Sequence, residues 1–151
     1  MANIRRATLG DIKEIHALLK HFAAKGDLLS RPLLSLYERV REFIVYEEEG
    51  QLAGCVALAV SWEDLAEVRS LAVVESFQRR QIGSQLVQAA LDEARDLGIK
   101  KVFTLTYRPD FFKTNGFSEV DKRELPHKIW QDCINCPHFP DCNETALQMV
   151  L

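Results

Sequence analysis

Residues 78–84 read Gln-Arg-Arg-Gln-Ile-Gly-Ser and stand between a hydrophobic run at 71–74 and a long amphipathic stretch. A short basic turn that opens a helix is an anion-binding arrangement. The first helical N–H groups have no partner inside the helix, the positive end of the helix dipole faces outward, and Arg79 and Arg80 add mobile charge. A pyrophosphate fits such a turn. The plainer reading is that two arginines before a helix are merely solvated, and the turn alone does not decide between the two. A second set of reactive side chains is Cys133, Cys136 and Cys142 with His138 among them. That spacing could hold zinc, but one Cys-x-x-Cys and a further cysteine are half a zinc signature, so the four are read as closing an irregular loop without metal. Cys55, alone in an apolar run, reads as core, and His16, His21 and His127 carry no clear signal.

The elements that must position the turn follow from periodicity. Residues 3–7 suit a first strand. Thr8 and Asp11 form a capping pair ahead of a helix carrying Leu9, Ile12, Ile15, Leu18, Leu19 and Phe22. Ser35 with Glu38 repeats the capping pattern and predicts a second helix through Leu36, Val40 and Phe43. Between the helices, 26–34 is an apolar loop holding Arg31. Residues 44–47 and 51–60 predict a hairpin around Glu49-Gly50, and 65–73 returns as a third strand, giving an antiparallel meander. The helix after the turn is the clearest element, with Ile82, Leu86, Val87, Ala90, Leu91, Ala94 and Leu97 on one face and Gly98 as its stop. Because that helix separates the strand ending at 74 from the strand at 102–107, the two should run parallel with a right-handed crossover. Ligands of such units bind outside the carboxyl ends of the strands, where the basic turn falls. Pro109 suits the start of a short helix ending at Asn115-Gly116, and 117–120 and 145–151 supply the last strands. The fold class is therefore α/β: a mixed, mostly antiparallel sheet with one parallel pair, flanked by helices.

Composition agrees. The 151 residues, 47% of them hydrophobic, predict one domain over 1–151. A formal charge of −3 and the lack of a basic stripe with interleaved aromatics argue against nucleic acid and for a small-molecule ligand. No leader and no apolar run of membrane-spanning length is read, so a cytoplasmic protein without a membrane partner is expected. In that compartment a structural disulfide is not expected.

The order strand, basic turn, helix, strand, short helix and Gly116-Phe117 resembles the GNAT acetyltransferase superfamily. In that family the turn holds the pyrophosphate of acetyl-coenzyme A, and Gln81 stands where the family usually has its first glycine. That departure is tolerable if the backbone at Gln81 is already helical, since only a position with φ > 0 demands glycine. Residues 28–31, 66–73, 102–107, 111–117 and 124–133 together are similar to the acetyltransferase domain of bacterial N-acetylglutamate synthases, in particular the short, single-domain form. The resemblance implies acetyl transfer from acetyl-CoA to the α-amine of an amino acid, L-glutamate foremost, at the first committed step toward arginine. The nearest alternatives are another amino acid or amine as acceptor and, from a different class, a noncatalytic acyl-CoA-binding module. A homodimer is expected from the family. The resemblance does not extend to the amino-acid-kinase domain that carries arginine feedback in longer members, so it implies nothing about feedback by that route and leaves regulation by arginine open.

The same resemblance assigns roles. Glu67 is the candidate base, acting directly or through water. With reference pKa values of about 4.3 for Glu and at least about 7.7 for an α-amine, direct transfer is uphill by roughly 4.6 kcal/mol, so Glu67 needs a raised pKa or a relay. Its plainer role is as a partner of Arg69. The cofactor set is Leu71, Ala72, Val73, Gln78, Arg79, Arg80, Gln81, Ile82, Gly83, Ser84 and Phe112, with a backbone N–H of 71–73 as oxyanion donor. Phe112 occupies the position where many members carry a tyrosine acid. Tyr107 is the weaker substitute, and a thiolate with a pKa near 8.5 needs little help to leave. Two substrate carboxylates call for cations, and Arg31, Arg69, Arg108 and Lys128 qualify, with Arg31 first.

Overall fold

The computed structural model describes residues 2–125 and 144–151. The chain begins with β1 (Ala2–Arg6), then α1 (Ile12–Ala24), α2 (Leu33–Glu38), β2 (Phe43–Glu48), β3 (Gln51–Trp62) and β4 (Leu65–Val73). It continues through α3 (Ile82–Asp96), β5 (Lys101–Thr106), α4 (Pro109–Thr114), β6 (Ser118–Glu119) and β7 (Thr145–Val150). The strands form one seven-stranded sheet in the order β1-β2-β3-β4-β5-β7-β6. Among the described residues the only parallel pair is β4 with β5. The expected α/β class and the meander β2-β3-β4 are both present.

Each face of the sheet is covered by the helices whose apolar stripes the periodicity predicts. On one face, Ile82, Leu86, Val87, Ala90, Leu91 and Ala94 of α3 pack with Val56, Val68, Val102, Phe112 and Leu147. On the other, Ile12, Ile15, Leu18, Leu19 and Phe22 of α1 and Leu36 of α2 pack over Phe43, Val45, Cys55 and Ala57. Close approach of α3 to the sheet depends on Gly54, where a Cβ would come within 3.0 Å of Leu86 Cδ1 and 3.1 Å of the Ala72 carbonyl. The pairing of Thr8 with Asp11 is realised at the first helix: the Thr8 amide donates to Asp11 Oδ2 at 2.7 Å, and Arg5 grips both carboxylate oxygens at 2.8 and 3.0 Å.

One expectation needs correction. Ser35 is not a helix cap. Pro32, extended at φ −60° and ψ 145°, precedes the first turn of α2, and the Leu36 amide bonds back to the Pro32 carbonyl. Fixed proline geometry delivers the chain to the helix three residues earlier, so Val40 falls in a short 3-10 turn and Phe43 already opens β2. The expected parallel pairing is present as a short ladder. It pairs Leu65, Ala66 and Glu67 with Lys101, Val102 and Phe103 and goes no further, leaving 68–73 and 104–106 apart.

Candidate active site

The gap between the diverging ends of β4 and β5 opens into a cavity of about 760 Å³, inside the range of small-molecule sites. Its floor is the inner edge of the two strands, from Val68 to Val73 and from Thr104 to Thr106. One end is the turn into α3, and the side toward α1 is Phe22, Lys25, Asp27 and Leu28. Of the expected cofactor residues, Leu71, Ala72, Val73, Gln78, Arg79, Gln81, Ile82, Gly83, Ser84 and Phe112 line this space. Arg80 does not. It makes a two-pronged bond to Glu48 at 2.7 and 2.9 Å and stacks 5.3 Å from the Phe77 ring, so its charge is engaged with β2.

The turn itself departs from expectation in its backbone. Gln81 is not helical but left-handed, with φ 62° and ψ 20°, and Arg79 is left-handed too at φ 66°. Two non-glycine residues in this region are costly and need surrounding bonds to hold them. Gln78 supplies one, its side-chain amide donating to the Val73 carbonyl at 3.1 Å. Alternating left-handed residues curl successive N–H groups toward a common centre, which is the backbone basis of an anion nest. Gly83 serves a different purpose: a Cβ there would sit 3.2 Å from Phe111 Cζ, so its absence lets that ring close on the helix start.

Beside the cavity β4 carries a bulge. Between the pairs Cys55–Ala72 and Ala57–Arg69 it has one residue more than β3, and Ser70 takes φ 54°. Arg31, half-buried after α1, donates to Ser70 Oγ at 3.3 Å and to Ser35 Oγ at 3.4 Å, with its guanidinium 5.4 Å from the Phe43 ring. Burial, and then the nearby charge of Arg69, push its pKa down to about 10. Arg69 lies between two carboxylates, 3.5 Å from Glu42 and 3.5 Å from Glu67, and its buried Nε has no hydrogen-bond partner among the described residues. Sequence reasoning missed Glu42, which sits in an unremarkable turn 27 residues from its partner.

The remaining candidates are more dispersed. Glu67 is on β4, with its side chain 15% exposed and reached by Arg69, and is not among the cavity-lining residues. Arg108 lines the cavity but binds Asp27 at 2.7 Å, and Tyr107, just past β5, does not line it. Phe112 is buried, edge-on to Phe111 and Phe117, as a core aromatic would be. Lys128, His127, and the set Cys133, Cys136, Cys142 and His138 lie outside the described residues.

The structure thus has a cavity at a split parallel pair, with left-handed residues in the turn at one end and a bulged strand along its floor. The model of the acetyltransferase (GNAT) family matches residues 12–117, and the chain belongs to that family. Membership makes it an acyltransferase that draws its acyl group from acetyl-coenzyme A. Among its relatives is an uncharacterised N-acetyltransferase of Chlorobaculum tepidum, 39% identical over 98% of this chain and 96% of that one. An amino-acid acetyltransferase of Mycobacterium tuberculosis is 37% identical over 85% of this chain and 75% of that one. In three dimensions the chain is similar to the N-acetylglutamate synthase of Neisseria gonorrhoeae, solved with coenzyme A and N-acetyl-glutamate. The TM-score is 0.91 at 31% identity, covering all of this chain and 35% of the synthase.

Proposed function

We propose that the protein transfers acetyl from acetyl-CoA to the α-amine of an amino acid, with L-glutamate as the leading acceptor, and that it acts in the cytoplasm as an entry to arginine biosynthesis. The observation that carries the acceptor class is the pair Arg31 and Arg69 at the Ser70 bulge. Burial first, and then the neighbouring charge of Arg69, lower the pKa of Arg31, and the Arg69 Nε is a buried donor with no acceptor among the described residues. A carboxylate would satisfy both. The names of the M. tuberculosis and N. gonorrhoeae relatives support the same class.

The residues divide the chemistry accordingly. Acetyl-CoA supplies a thioester carbonyl and a thiolate leaving group. The nest at 78–84 takes the pyrophosphate, and the freed edge of β4 at 71–73 offers backbone N–H groups to the carbonyl oxygen as charge develops. Because Glu67 stands outside the cavity lining, the amine proton passes toward it through water and on to solvent as the final sink, so Glu67 need hold it only transiently. Tyr107 is no better placed than Phe112 to protonate the thiolate, so that group departs as the anion.

The test is mass-spectrometric detection of acetylated product after incubation with acetyl-CoA and single amino acids. Glutamate should dominate, and Arg31→Ala should raise its KM by at least about tenfold, the effect of one charge-assisted bond, without moving the KM of acetyl-CoA. Equal acetylation of amino acids lacking a side-chain carboxylate would exclude glutamate as the specific acceptor.

A further inference from the structure

Within the sheet, the β4–β5 ladder stops at a definite atom. In a parallel pair the bonds alternate between strands. With Glu67 opposite Phe103, the next bond would run from the Leu105 amide to the Val68 carbonyl and would make Val68 and Thr104 a pair. The register ends one residue short of it. The Val68 carbonyl is occupied instead by the Thr104 hydroxyl, which donates to it at 2.8 Å from a side chain that is 2% exposed. Thr104 is one of only two polar residues buried among those described, and it lines the cavity at the point where the strands part.

A buried carbonyl must have a donor, and the donor chosen fixes the strand separation. A backbone amide would draw β5 to ladder distance, about 4.8 Å from β4. A side-chain hydroxyl satisfies the same oxygen while leaving the Leu105 amide unspent on β4 and the two strands apart. Two residues on from Val68, the left-handed Ser70 turns the β4 backbone out of register with β3, so the opening begins at Thr104 and is completed by the bulge. We infer that Thr104 is a positioning residue for the acyl donor: its hydroxyl caps Val68, ends the parallel ladder and holds open the slot that receives the amide-bearing arm of coenzyme A. The inference rests on the family's use of acetyl-CoA and is independent of the acceptor.

Thr104→Val keeps the shape and removes the donor, and Thr104→Ser keeps the donor. The valine variant should let the Leu105 amide close onto Val68, so it should bind coenzyme A about tenfold more weakly by calorimetry and raise the KM of acetyl-CoA, with the melting temperature held or increased. Serine should restore binding to within about twofold of wild type. A merely structural threonine would give the reverse pattern in the valine variant: a lower melting temperature with unchanged coenzyme A affinity, which would overturn the inference. Hydrogen exchange on the ligand-free wild type tests it without a variant. The Leu105 amide should exchange faster than that of Phe103, which lies inside the ladder, and equal protection of the two would refute the role. Failure of the glutamate assay would leave these readouts unaffected, since none involves an acceptor.

Discussion

Glu67 and Arg69 occupy alternate positions of one strand, and the consequence of that spacing is that each constrains the other. Arg69 holds Glu67 at 3.5 Å on one side and Glu42 at 3.5 Å on the other. A guanidinium shared between two carboxylates at such distances is not committed to either, and a substrate carboxylate can compete for it. Glu67→Gln preserves the shape and the ability to accept from Arg69 but cannot take up a proton. Turnover should therefore fall by about a hundredfold, within the range of a lost general base, while calorimetry shows an unchanged affinity for coenzyme A. Unchanged turnover would remove Glu67 from the chemistry and leave it as the partner of Arg69.

At the scale of elements, the junction of β1 and α1 offers the sharpest stability prediction. Arg5 and the Thr8 amide hold the Asp11 carboxyl down at about 2, below its ordinary value of 3.8. A carboxylate whose pKa is lower in the folded state contributes stability that is complete above its unfolded value and is lost as pH falls through the folded one. Asp11→Asn should therefore cost about 2 kcal/mol near neutrality, and the deficit should shrink as denaturant titrations are moved from pH 5 to pH 2. A deficit that stayed constant over that range would assign the effect to packing alone.

That junction was legible in the sequence, because Thr8 and Asp11 are three residues apart and cap locally. So were the hairpin at Glu49-Gly50, the stripe of α3 and the parallel pairing forced by a long intervening helix. What escaped were features set by tertiary context. The left-handed Gln81 carries no glycine to announce it, and the bulge at Ser70 looks like one polar residue in an alternating strand. Arg80 reads as a ligand group until β2 brings Glu48 beside it. Thr104, in the run Val102-Phe-Thr-Leu105, has no sequence signal beyond being a hydroxyl between apolar residues. Its role depends on the carbonyl opposite, and cross-strand partners are not written in local periodicity.

Considered as a whole, the molecule gathers its cavity from segments spread over most of the chain: the end of α1, all of the second half of β4, the start of α3, the end of β5 and α4. Some ties across the mouth of that cavity are exposed ion pairs. Lys25 and His21 meet Glu75, and Asp27 meets Arg108. Exposed pairs are each worth about 1 kcal/mol or less and are screened by salt, so they guide the segment after α1 without fastening it. A ligand that touches both strands, the nest and α1 adds the missing cross-links and binds only the folded state. At a coenzyme A concentration about a hundredfold above its Kd, binding adds about 2.7 kcal/mol. For a chain of this size the melting temperature should then rise by about 5–10 °C. Raising the salt in the absence of ligand should lower it far less, because it removes only the exposed pairs. Differential scanning calorimetry with and without coenzyme A makes the comparison. A shift from salt as large as that from the ligand would mean that the ion pairs, and not the walls of the split sheet, hold the site together.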